Sequence, residues 1–345
     1  WSSDVCSSDL GHFVEEFEKK FCKLNQIGFS ASVCNGTVAL HVALVALGIG
    51  PGDEVIVPTL TYIASANAIK YCGATPVFVD SCPTDWQIDP VKIQEKISAK
   101  TKAIMVVHLY GHPCDMTSIM KIAKENSLFV IEDCAEAFGS KHKNQLTGTF
   151  GDISTFSFFG NKTVTTGEGG MVVTNNETLY ERVCHLKGQG LSKNRQYWHD
   201  IVGYNYRMTN ICAAIGVAQL KKTDEVILKK REIASYYKTH LTPKFTFHDE
   251  VGDNYHTYWM NSILLSKHLS SKRDDFRDYL QSKGIETRPI FYPIHTMPMY
   301  SLKYESNPVA EDISRRGINL PSYPDLTKNE LDYIIDSCLS YRGVV

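Results

Sequence analysis

None of the ten cysteines forms a C-x-x-C pair, so neither a zinc site nor a dithiol redox motif is supported. They are scattered from Cys6, Cys22 and Cys34 to Cys338, mostly beside apolar residues, which predicts buried free thiols and a reducing, cytoplasmic setting. The sequons at Asn35, Asn161 and Asn176 then read as chance matches. An excess of charge is missing too. With 36 Lys and Arg against 38 Asp and Glu, there is no basic field for nucleic acid and no acidic tail. No apolar run approaches the length of a membrane span. No G-x-G-x-x-G follows an apolar strand, and no His, Asp and Glu cluster falls at ligand spacing, so neither a dinucleotide site nor a metal is expected. The opening WSSDVCSSDL is Ser/Asp-rich, lacks the apolar core of a signal peptide and does not blend into the helical pattern that follows. Residues 1–10 are expected to be foreign to the natural chain. Work on a small molecule is what these absences leave.

What is present centres on DISTFSFFGNKTVTTGEGGM, from Asp152 to Met171. It reads as a strand, Ile153 to Phe158, then a lysine in a loop, Lys162, a Gly-rich turn and a second apolar strand from Met171 to Thr174. A lysine set among Phe158, Phe159 and several glycines is not placed like a surface lysine. Partial burial lowers the amine's pKa and favours the free base, as a lysine that condenses with a carbonyl requires. A lysine at the end of a β-hairpin is the plainer alternative on this stretch alone.

The chain before it alternates regularly. Phe13, Val14, Phe17, Phe21 and Leu24 recur at helical spacing. Asn35-Gly36-Thr37 is a turn before a nearly all-apolar helix, Val38 to Leu47, whose first turn can serve an anion with N–H groups, a hydroxyl and a dipole end. Thr37 as a simple N-cap is the competing reading. Strands follow at Glu54 to Pro58, Pro76 to Asp80, Ala103 to His108 and Leu128 to Asp133, separated by helices at Ser65 to Tyr71, Pro90 to Ile97 and Met116 to Glu125. Apolar strands alternating with short helices predict a parallel sheet covered on both faces, with ligands beyond the strands' carboxyl ends. That rule singles out Asp133 and Tyr62. Asp133 can be a metal ligand, a ribose partner, the counter-ion of a buried cation or a helix cap.

After the lysine stretch come a helix at Leu179 to Leu186, an aromatic-rich loop, and a helix at Met208 to Leu220 whose Ala213, Ala214 and Gly216 suit close packing or an interface. Beyond Asp224 charged helices (Glu225 to His240, Ser270 to Lys283) surround one strand, Tyr255 to Leu265, which predicts a second, smaller domain. ETRPIFYPIHTMPMY reads either as a rigid, Pro-locked surface loop or as a recognition loop that binds an anion through Arg288.

Taken together, the Gly-Thr helix start, the strand-end aspartate and the lysine some thirty residues later resemble fold-type I pyridoxal-phosphate enzymes. More closely, the chain resembles the sugar aminotransferases of the DegT/DnrJ/EryC1/StrS family. NGTVALHVAL, GDEVIVPTLTYIASANAI, GATPVFVD, HLYGHPCDM, VIEDCAEAFGS, GDISTFSFFGNKTVTTGEGGMVVT and GYNYRMTNICAAIGVAQL carry the likeness, in order, from about Phe13 to the C-terminus. The resemblance implies an α/β fold: a large domain over 11–224 with a mostly parallel seven-stranded sheet covered by helices, and a smaller α+β domain over 225–345. It also implies residue roles. Lys162 would hold pyridoxal 5'-phosphate covalently and shuttle protons. Asp133 would pair with the pyridinium nitrogen, and Glu136 would lie near the cofactor's phenolic oxygen, where many relatives have Gln. Gly36, Thr37 and Ser157 would grip the phosphate, and Tyr62 would lie over the ring. Asn205 would reach the cofactor phosphate of a second subunit, which implies a homodimer with shared sites. Arg288 and His295 would face the nucleotide sugar.

The implied reaction moves the amino group of L-glutamate to a GDP-linked 4-keto-6-deoxy sugar used for bacterial surface polysaccharide such as O-antigen. A dTDP- or UDP-linked sugar is the alternative, and a non-catalytic regulator that binds cofactor or sugar is the alternative of another class. The family's 3-dehydratase cousin has His in place of the lysine, so Lys162 argues against it. Family members usually begin with a further N-terminal segment, which WSSDVCSSDL is expected to replace here.

Overall fold

A computed structural model describes residues 11–301 and 305–342. Its largest sheet has seven strands: β1 (Phe29–Val33), β2 (Glu54–Pro58), β3 (Thr75–Val79), β4 (Thr101–Val107), β5 (Phe129–Asp133), β8 (Ile153–Ser157) and β9 (Gly170–Thr174). They lie in the order β1-β9-β8-β5-β4-β2-β3. The pairs within β8-β5-β4-β2-β3 are parallel, and β9 runs against both β1 and β8. The sheet is therefore mostly parallel, as its unbroken apolar strands require.

The helices of this part are α1 (His12–Asn25), α2 (Gly36–Ala46), α3 (Ala64–Tyr71), α4 (Pro90–Lys96), α5 (Met116–Asn126), α6 (Glu177–Lys187) and α7 (Asn210–Gln219). Period-2 alternation sorts the strand residues between two cores. Val55 and Val57 of β2 with Ala103 and Met105 of β4 pack under α2, α3 and α6. Ile56, Ile104 and Val106 point the other way, against Ile93, Met116 and Ile119 of α4 and α5. The helix α2 is apolar nearly all round because it is buried on most sides. On the face of β8 and β9, Phe17 and Phe21 of α1 meet Phe156 and Phe158 edge-on, with ring centroids 5.0 to 5.7 Å apart. A Cβ on Gly216 of α7 would stand 2.6 Å from the Phe17 ring, so the small residue permits the α1–α7 contact.

From α8 (Thr223–Leu241) the chain enters a four-stranded antiparallel sheet of β10 (Thr246–Phe247), β12 (Asn261–Leu264), β13 (Arg288–Pro289) and β14 (Gly317–Leu320), in the order β10-β12-β14-β13. It packs against α8, α9 (Arg273–Ser282) and α11 (Lys328–Leu339) through Tyr237, Phe276, Ile318 and Ile335. The helix α10 (Pro308–Arg316) lies between this sheet and the first part. A three-stranded sheet of β6 (Lys141–His142), β7 (Gln145–Leu146) and β11 (Asn254–Tyr255) joins the two parts.

Two expectations are corrected here. Tyr255 to Leu265 is not one strand: Asn254–Tyr255 pairs with β6, Asn261–Leu264 pairs with β10 and β14, and Tyr258 between them takes a left-handed φ of 49°. The strand β1, which the sequence reading passed over, completes the large sheet. Among the described residues no helix is long and apolar enough to cross a membrane.

Candidate active site

The carboxyl ends of β1, β2, β4, β5 and β8 converge on one region, and the candidate residues sit on the turns that leave them. At the end of β5, Asp133 is buried. Its Oδ2 accepts the Ser65 hydroxyl at 2.8 Å and its Oδ1 accepts the Ala135 N–H at 3.1 Å. Burial raises its pKa, against those hydrogen bonds and the nearby Lys162 charge. A carboxylate held this way favours a cationic partner.

Lys162 lies in the loop after β8 with its side chain mostly buried. Its Nζ is 3.8 Å from Glu136 Oε1 and 3.7 Å from the centroid of the Trp259 ring. Burial lowers the amine's pKa, opposed by the charges of Glu136 and Asp133. The amine is thus biased toward the nucleophilic free base. Glu136 is itself buried, and its Oε2 accepts the Tyr110 N–H at 2.9 Å. Burial pushes its carboxyl up to about 7, with Lys162 pulling the other way. Tyr110 delivers that N–H from a left-handed conformation (φ 57°, ψ 14°), which a non-glycine residue adopts only where its surroundings hold it. The tyrosine Oη provides the hold, accepting the Phe291 N–H at 3.1 Å and Asn319 Nδ2 at 3.4 Å.

Beneath these groups Glu132 accepts N–H bonds from Gly148, Phe150 and Gly151 at 2.7, 2.8 and 2.7 Å, and its Oε2 lies 3.1 Å from His108 Nε2. Burial alone would raise its pKa, but the His108 bond and these amides bring it below the usual value. His108, Glu132 and Cys134 place ligand-type atoms within 4.8 Å of one another. Both Glu132 oxygens and the His108 nitrogens are already bonded, so the trio braces β5 rather than offering a metal open positions.

The anion-binding turn is built by close approach. A Cβ on Gly36 would stand 2.8 Å from Ser157 Cβ and 3.0 Å from its hydroxyl, so only glycine lets the start of α2 lie against the end of β8. A Cβ on Gly170 would meet the Asn35 carbonyl at 2.6 Å from the other side. The N-cap of α2 is Asn35, whose Oδ1 accepts the Val38 N–H at 3.0 Å. Thr37 is therefore not the cap, and its hydroxyl is left for another acceptor.

The remaining candidates lie further out. Tyr62 is 58% exposed, with its ring 5.7 Å from that of Phe291. Asn205 is exposed and paired through its backbone with Gly188. Arg288 is exposed, ion-paired with Glu286 at 2.6 Å, and lines a cleft of about 630 Å³ with Met260, Asn319 and Tyr323. The structure places His295 elsewhere than expected. It is 3% exposed, with Nδ1 2.6 Å from Thr59 Oγ1 and Nε2 3.2 Å from Glu311, so it acts as a joint between β2 and α10 rather than facing a ligand. Ser65, Tyr110 and Trp259 are site residues that the sequence reading missed. Ser65 carried a usable signal, in the first turn of the helix that follows Tyr62. Trp259 carried none, because it sits at the break in what reads as one strand.

Comparison with known proteins adds to this geometry. Residues 2–339 match the model of the DegT/DnrJ/EryC1/StrS aminotransferase family. Over 330 residues the chain is 62% identical to GDP-perosamine synthase of Escherichia coli O157:H7, covering 96% of this chain and 90% of that protein. It is 47% identical to GDP-perosamine synthase of Vibrio cholerae, with 98% and 93% covered. Among solved structures, DesV of S. venezuelae superposes with a TM-score of 0.90 at 32% identity over 95% of this chain and 88% of that one. The PLP-form of the putative sugar aminotransferase Spr1654 of Streptococcus pneumoniae reaches 0.92 at 26% identity, over 97% and 92%.

Proposed function

Because the chain belongs to the DegT/DnrJ/EryC1/StrS aminotransferase family, we propose that it moves the amino group of L-glutamate to GDP-4-keto-6-deoxymannose. The products are GDP-perosamine and 2-oxoglutarate, the first of them a precursor of bacterial surface polysaccharide such as O-antigen. The family makes the chain a pyridoxal-phosphate-dependent sugar aminotransferase, and the 62% identity to a GDP-perosamine synthase supports this sugar over dTDP- and UDP-linked ones. The observation that carries the chemistry is the Lys162 amine, buried beside Glu136 and close to the buried carboxylate Asp133.

The residues suit the cofactor. Asp133 is a buried carboxylate whose raised pKa a protonated ring nitrogen would reverse. The Gly36–Ser157 contact leaves the first turn of α2 open to a phosphate, with Thr37 and Ser157 hydroxyls beside it. Tyr62 would cover the ring, and Glu136 would serve its phenolic oxygen. When bound, pyridoxal phosphate supplies an aldehyde for amines and a ring that accepts electrons.

Lys162 Nζ holds the cofactor between turnovers. As the site's base and acid, its free amine would take the α-proton of glutamate and later return a proton to the sugar carbon that receives nitrogen. Burial lowers its pKa and so favours the free amine that takes the proton. Asp133 would keep the ring nitrogen protonated. Glu136, titrating near 7, holds or releases a proton beside the reacting amine. Glutamate leaves as 2-oxoglutarate before the sugar enters, which gives ping-pong kinetics.

Arg288 serves the sugar nucleotide's phosphates, and Asn205 the cofactor phosphate of a second copy. Tyr197, Val202, Ile211 and Ile215 are exposed and would offer apolar surface to that copy. The large domain spans 11–224, the small one spans 225–345, and the homodimer works in the cytoplasm. Lys162→Ala tests the assignment: turnover should fall by about three orders of magnitude or more. Borohydride should fix cofactor to the Lys162 peptide of the parent protein and to no peptide of the variant. Turnover retained by Lys162→Ala would sink the reading.

A further inference from the structure

Trp259 belongs to the second part of the chain yet touches the amine of the first. It is 4% exposed, and it follows Tyr258, whose left-handed backbone breaks the stretch between β11 and β12. That break turns the indole inward. Its ring lies 3.7 Å from Lys162 Nζ, and its Nε1–H donates to the Asn161 carbonyl at 2.8 Å, one residue before the lysine. One side chain thus holds both the backbone that carries the amine and the amine itself. We propose that Trp259 is a positioning residue for the reacting amine, through which the second part of the chain fixes where Lys162 Nζ sits and favours its ammonium form.

The inference rests on Lys162 as the reacting amine. The titratable groups that face Nζ are Glu136 and Asp133, both from the β5 side. Their charges favour the ammonium form, and burial opposes it. The indole face adds an attraction for the cation without adding a formal charge. The Nε1–H bond sets the distance at which that face acts.

The test uses the cofactor-free protein and a small arylating reagent, trinitrobenzenesulfonate, with labelling of the Lys162 peptide followed by mass spectrometry against pH. Fluorinated tryptophans placed at position 259 withdraw π density while keeping the ring's shape. The labelling midpoint should move to lower pH as fluorines are added, by up to about one pH unit. Trp259→Phe loses the Nε1–H bond that sets the distance, and it should also move the midpoint to lower pH. A midpoint that is constant across the fluorinated series, or that rises, overturns the proposal. The readout needs neither cofactor nor substrate. Its failure therefore leaves the transamination reading standing, and a failed transamination assay leaves this midpoint to be measured.

Discussion

Glu136 is a buried carboxyl, and an amide at its place would differ chiefly in charge. Burial holds its carboxyl at about 7 rather than the ordinary 4.5. The folded protein then binds a proton there that the unfolded chain releases between those values. The stability tied to the protonated form is fully present below 4.5 and is lost as pH rises through 7. Glu136→Gln removes that loss. In the cofactor-free protein the variant should match the parent near pH 4.5 and exceed it above pH 7, by at most about 3 kcal/mol. Thermal melts at the two pH values check this, and a variant equally stable or less stable at pH 8 would refute it. The position was singled out only by the family resemblance. Its shifted titration was not legible in the sequence, because it depends on Tyr110 and Lys162 closing over the carboxyl from separate loops.

At the scale of elements, the site depends on how closely α2 approaches β8. Gly36→Ala puts a methyl 2.8 Å from Ser157 Cβ, so the helix start must retreat. The cost to folding should be about 1–3 kcal/mol. Cofactor affinity should fall by at least tenfold in equilibrium dialysis, since the displaced turn is the one proposed to hold phosphate. Unchanged affinity would show that the phosphate lies elsewhere. The sequence revealed this turn and most of the parallel sheet. Glu54–Pro58 was legible to the residue because apolar runs bounded by turns have few other readings. The reading failed where tertiary pairing overrides local pattern. Phe29–Val33 carries small polar residues at alternate positions and reads as a weak strand, yet pairs along its whole length with β9. Tyr255 to Leu265 reads as one strand, but its two ends are claimed by different sheets. In ETRPIFYPIHTMPMY, Ile290, Ile294 and His295 are buried against β2 and α10, a burial that prolines and aromatics in a loop do not announce.

Across the whole molecule, the two parts meet at Tyr110, Trp259 and a group of three buried histidines. His248 lies flat on Trp86 with centroids 4.4 Å apart, and His112 and His256 stand 5.4 and 5.0 Å from it. Burial lowers all three pKa values, His112 from 6.5 to about 4. Their neutral forms stabilise the fold at and above pH 6.5. That stability is lost as pH falls below 6.5, where the unfolded chain takes protons that the folded one refuses. Three such groups cost together at most about 4 kcal/mol per pH unit. Melting temperature should drop steeply from pH 6.5 to pH 5, and His112→Gln should flatten the slope by about a third. A slope unchanged in the variant would remove His112 from the account.

The central claim concerns the Lys162 site as a whole, and visible absorbance of the cofactor-loaded protein tests it most directly. L-glutamate should bleach the band above 400 nm, and GDP-4-keto-6-deoxymannose should then restore it, so that each half-reaction is seen separately. A band that glutamate does not bleach, or that a dTDP- or UDP-linked keto sugar restores while the GDP-linked sugar does not, would contradict the account.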